Sequence, residues 1–149
     1  MTECVLEFDR VAIHLGGRDI TISSSTLSGN GGVALSAFRV LTVHDVVIHG
    51  LPTANGAHGG VRLTGDGLTV DSGYACGSSF HTVNLKNVSC TGTVGFGLQG
   101  RSLSLTDSTV TSAGSSDVVS RQSPVLVNTT CNHSSDFNGD SWHLCSLDP

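Results

Sequence analysis

Apolar and polar residues alternate along this chain in short bursts, and the bursts share one phrase. Leu41-Thr-Val-His-Asp-Val-Val-Ile48 carries it: aliphatic residues at positions one and three, a polar pair at four and five, then a second apolar stretch. The phrase can be laid at 6–13, 20–27, 41–48, 68–75, 83–90, 103–110 and 125–132. Period-two alternation rich in β-branched residues predicts strands, and no stretch carries a 3.6-residue period. A shorter phrase precedes five of the copies by seven or eight residues, at 33–36, 61–64, 76–79, 96–99 and 118–121. Each unit therefore reads as strand, turn, strand, bent continuation and loop.

Repeats of about twenty residues belong to stacked units, none of which can bury its apolar side alone. No two-residue hairpin turn separates the strands, so the stacking is expected to be parallel and the fold a solenoid. With neighbours about 4.8 Å apart, seven coils would make a rod roughly 30 Å long. The reading is one domain over 1–149: an incomplete first coil at 1–19, regular coils at 20–131 and an irregular cap at 132–149. The cap drops the repeat and brings in Trp142 and Cys145. An incomplete first coil would leave an apolar end, which makes end-to-end self-association one expectation.

Ile20-Thr-Ile-Ser-Ser-Ser-Thr-Leu-Ser-Gly-Asn-Gly-Gly32 and Leu103-Ser-Leu-Thr-Asp-Ser-Thr-Val110 resemble coils of the pectate-lyase-like superfamily, over most of residues 5–132. The resemblance implies an all-β, right-handed parallel β-helix of about seven short coils. That architecture hosts lyases, hydrolases, epimerases, esterases, tailspikes, adhesins and inert surface domains, so it does not select an activity. In its enzymes a sugar groove commonly runs along one sheet, walled by long loops. The tail also resembles the Trp-x-x-Cys endings of bacterial surface β-helix domains.

Composition narrows the partners. Charged residues make up 13% of the 149 residues, against roughly 25% in ordinary globular proteins. Hydroxyls and amides take their place, a surface compatible with polysaccharide. The net charge is −5, there is one lysine, Lys86, and no run of Lys and Arg, which argues against a nucleic-acid partner. No run of eighteen apolar residues exists, so no membrane span is expected. Met1-Thr-Glu-Cys-Val is not a signal peptide. The reading is an extracellular or cell-surface domain, with a fragment of a longer precursor as one expectation. Of five cysteines, Cys131 and Cys145 are expected to staple the cap at about 3 kcal/mol. Cys76 and Cys90 read as buried free thiols, and Cys4 as unpaired or paired outside this chain.

Candidate chemistry falls in three places. The polar pairs contain Asp45, Asp71, Asn87 and Asp107, residues that tolerate left-handed turns. Read otherwise, Asp45, Asp71 and Asp107 form an acidic row for Ca²⁺, which takes six to eight oxygens. Lys86-Asn87 interrupts that row, so no metal and no cofactor is expected, with Ca²⁺ the one candidate. His44-Asp45 invites a base pair, and His49 and His58 flank the longest loop. The third place is the face of the shorter phrase, where Arg62, Thr64, Gln99 and Arg121 would line a ligand groove beside loop 49–60. Arg recognises carboxylates in a planar, bidentate way. No DxD pair accompanies these residues. The expected function is a non-catalytic domain that binds polysaccharide. The alternatives are a small polysaccharide lyase or glycoside hydrolase, and a self-stacking structural unit.

Overall fold

The computed structural model describes residues 2–8, 17–29, 35–49, 55–114 and 116–148. These form fourteen strands and no helix, joined in one continuous, parallel hydrogen-bonded ladder. Each coil has three faces. Face one stacks residues 19–23, 40–44, 62–66, 82–86, 102–106 and 125–127. Face two stacks Thr2–Phe8 on residues 23–29, then 46–49, 68–71, 89–93, 109–112 and 130–131. Face three stacks 35–37, 57–59, 77–79, 98–100, 118–120 and 134–135. The chain is an all-β parallel solenoid of about five turns, close to the seven expected.

The expected spacing changes in one informative way. Ile20, Leu41, Leu63, Val83 and Leu103 share one register, so these coils are 20 to 22 residues long, whereas the last step on face three, Val118 to Ser134, is 16. The third rung of face one is Leu63-Thr-Gly-Asp-Gly-Leu68, not 68–75. Gly65 occupies the position where the phrase demands an aliphatic residue, and that substitution hid the rung. The copy at 68–75 lies on face two and the corner beyond it. At the other end, Leu6 pairs with Leu27, so 6–8 closes a face-two strand instead of opening a face-one strand. The rest of the copy at 6–13 lies outside the described residues, as do residues 50–54 of the loop at 49–60, of which Asn55–Gly59 is a strand.

Corners one to two are made by a single residue per coil with positive φ. Ser24, Asp45, Asn87, Asp107 and Asn128 sit between 47° and 51°, and Gly67 at 72° completes the column. Asn and Asp are expected there because a short polar side chain offsets part of the cost of the left-handed conformation. Their side chains also bridge coils: Asn87 Nδ2 donates to Asp66 Oδ1 at 2.8 Å, and Asn128 Nδ2 donates to Asp107 Oδ1 at 3.0 Å.

Inside, each face contributes files of apolar side chains. Leu41, Leu63, Val83 and Leu103 are one file; Leu27, Ile48, Val70, Cys90, Val110 and Cys131 are another, all at most 2% exposed. Full burial of such a side chain is worth about 1.5–3 kcal/mol, and each coil supplies the wall the next one needs. Cys76 and Cys90 point into this core one rung apart, with Cα atoms 5.9 Å apart, and form a disulfide. They are not the free thiols expected: two inward cysteines on neighbouring rungs fall within bonding reach.

The tail closes the last coil. Cys131–Cys145 is a disulfide, as expected. Ser146 N–H donates to Cys131 O and Leu147 N–H to Asn132 O. Trp142 Nε1 donates to Ser120 O at 3.3 Å, so the indole belongs to the cap. Asp148 accepts from the backbone amides of Ser134, Leu144 and Cys145 and from the Ser134 hydroxyl. No helix among the described residues is long and apolar enough to cross a membrane.

Candidate functional site

The site follows from the alternation on face three. Leu35, Ala57, Gly77, Leu98 and Val118 point inward in register, so the residues after them point out: Ser36, His58, Ser78, Gln99 and Val119. His58 Nδ1 and Ser78 Oγ are hydrogen-bonded at 2.9 Å across adjacent coils. Phe80 stands two residues beyond Ser78, where the chain turns toward face one, and is 75% exposed. Its ring packs edge-on against His58, with centroids 5.4 Å apart and planes at 86°. The cap then folds back beside Gln99 and presents Phe137, 48% exposed.

A hollow of about 320 Å³ lies between these two aromatic walls, and a second of about 400 Å³ adjoins it, sharing Gln99 and Phe137. The first is lined by His58, Ser78, Ser79 and Phe80, the second by Ser116, Val119, Ser135 and the cap turn 136–139. Together they make a groove along the solenoid axis. The first hollow has aromatic walls and a floor of hydroxyl, amide and imidazole groups; the second is lined mainly by polar groups.

The carboxylate at the rim is committed to structure. Asp136 accepts hydrogen bonds from the amides of Asn138 and Asp140 and from Asn138 Nδ2. Partial desolvation raises its pKa, but these donors outweigh it and hold the carboxyl below the usual range. Asp117, buried behind the groove, accepts from Ser112 N–H, Ser112 Oγ, Asn132 N–H and His133 N–H. Neither carboxylate is arranged as a proton donor for a bound chain.

Of the four residues expected to line one groove, Gln99 does so. Arg62 and Thr64 lie on face one, in register with Val40 and Thr42, because 61–64 opens a face-one rung. Arg121 lies in the bend after face three. His58, Ser78, Phe80 and Phe137 complete the groove. The left-handed corner residue gives only an approximate signal: His58, Ser78 and Gln99 lie 13, 11 and 12 residues after Asp45, Gly67 and Asn87, so a fixed frame does not align them. Phe137 has no such signal, since it lies in the part of the chain without a repeat.

The other candidates are dispersed. Asp45 and Asp107 are corner residues, whereas Asp71 is on face two, 2.6 Å from His49 Nδ1. The acidic row therefore does not form. His49 and His58 are on different faces, and His44 is exposed beside the corner. Among the described residues no three His, Cys, Asp or Glu side chains gather as metal ligands. No protein-family model, curated protein or solved structure matches this chain.

Proposed function

We propose that this chain is a non-catalytic extracellular or cell-surface domain of the pectate-lyase-like kind, which binds polysaccharide along face three. The observation that carries this reading is the groove between Phe80 and Phe137. Sugars present apolar C–H faces and equatorial hydroxyls; exposed aromatic rings meet the first, and Ser78, Gln99 and His58 meet the second. An apolar-walled cleft with a few placed polar groups is the usual form of a small-ligand site. Two disulfides support an oxidising compartment. The structural use of Asp117 and Asp136 supports binding without turnover.

The test is a titration of purified protein with a panel of neutral and charged polysaccharides, followed by product analysis. Phe137→Ala and Gln99→Ala should each weaken binding about tenfold, a loss of about 1.4 kcal/mol, with the fold intact by circular dichroism. Wild-type affinity in both variants would remove the groove from consideration. Release of shortened or unsaturated product would make the protein an enzyme and overturn the non-catalytic reading.

A further inference from the structure

The corner between faces three and one gathers cationic side chains that are scattered in the sequence. Its backbone forms a continuous ladder: Arg39 N–H donates to Arg18 O, Val61 N–H to Arg39 O, Thr82 N–H to Val61 O, Ser102 N–H to His81 O and Gln122 N–H to Arg101 O. Each coil delivers one basic residue to this ladder or to the position next to it: Arg18, Arg39, Arg62, His81, Arg101 and Arg121. All six are exposed. The chain has six arginines, and the five that are described all lie here. With rungs about 4.8 Å apart, six rungs make a ridge roughly 24 Å long.

Little on the protein neutralises the ridge. The ion pairs among the described residues are Arg39–Asp19 and His49–Asp71, and the second is on another face. Arg62, Arg101 and Arg121 form none among the described residues, and Arg18 shares the charge of Asp19 with Arg39. In a chain of net charge −5, gathering these arginines at one corner with Asp19 as the carboxylate that pairs there costs self-repulsion that a bound anion would relieve. Phe38, 82% exposed, and Phe80 stand on the same corner. Phe80 also forms one wall of the groove, so ridge and groove are contiguous.

We infer that the ridge binds the anionic substituents of a linear acidic polysaccharide lying along the solenoid. The inference rests on the proposed glycan reading for the chemistry of the chain, and on the arginines for its charge. Guanidinium forks engage sulfate, phosphate or carboxylate groups bidentately, and an arginine on five of the six coils suits a polymer that repeats its charge. A glycan is favoured over nucleic acid because the aromatic walls and hydroxyl floor of the groove adjoin the ridge, and because the remaining surface is net acidic and would repel a bulky duplex.

The experiment compares dextran sulfate with uncharged dextran, polygalacturonate with its neutral methyl ester, and duplex DNA as a non-glycan polyanion. The expected result is binding of at least one charged glycan above its neutral form, weakened by salt. Arg101→Gln with Arg121→Gln should lower that affinity about tenfold, and Arg101→Lys with Arg121→Lys should retain most of it. The pattern across the two charged glycans identifies the anion. Equal affinity for charged and neutral forms, or for the Gln variant and wild type, overturns the inference. So does DNA binding as tight as that of the best glycan. If Gln99→Ala and Phe137→Ala lose neutral-glycan binding while the ridge variant keeps charged-glycan binding, the ridge fails and the groove stands. If the ridge variant alone loses binding, the groove fails and the ridge stands.

Discussion

Gly65 shows how one residue can carry a coil. A Cβ placed there would lie 1.8 Å from Val43 O, and φ is +142°. Gly65→Ala must therefore shift a backbone and adopt a conformation costing about 1–3 kcal/mol. The expected outcome is a melting temperature roughly 5–10 °C lower, read by circular dichroism. Asp117 is the polar counterpart: 1% exposed, with four donors turned on it. Asp117→Ala strands those donors, each worth about 1–3 kcal/mol when left unpaired and buried. A loss of more than about 3 kcal/mol in urea unfolding is expected, and a loss under 1 kcal/mol would show that water replaces the carboxylate. The corner residues Asp45, Asn87 and Asp107 were legible at this scale, because side-chain type reports backbone conformation directly. Gly65 misled for the same reason: its requirement comes from the coil beneath it, which no local pattern reports.

Among the elements, the cap couples stability to the site. Removing the Cys131–Cys145 disulfide by serine substitution at both positions should cost about 3 kcal/mol. Phe137 hangs on the turn between the disulfide and its anchor, so the same variant should also bind glycan more weakly. Asp148 gives the cap a pH dependence. Desolvation raises its pKa, but the Ser134 hydroxyl and the amides of Cys145, Ser134 and Leu144 overcome this and lower it below 3.8. A carboxylate with a depressed folded pKa stabilises fully above its unfolded value and loses that contribution as pH falls through the folded one. The cap should thus hold through mild acid and loosen below about pH 4. Trp142 is the only tryptophan and bonds to Ser120, so its fluorescence reads the transition. Asp148→Asn should flatten the acid limb of that curve.

For the whole molecule, the decisive events are alignments between coils. Alternation and repeat length determined by themselves that the chain would be parallel strands, wound as a solenoid, with Val, Leu and Ile inside and a non-repeating cap. These follow because burial and strand period act within a single coil and leave a mark every twenty or so residues. Tertiary structure alone decided which outward residues become neighbours. The strand at 57–59, not 61–64, stacks on face three, so Arg62 lies outside the expected groove and His58 and Ser78 lie in it. The Cys76–Cys90 bond, the return of Phe137 beside Gln99 and the line of basic residues at one corner are likewise products of register. Residues twenty apart share no local signal; only stacking at about 4.8 Å makes them a surface.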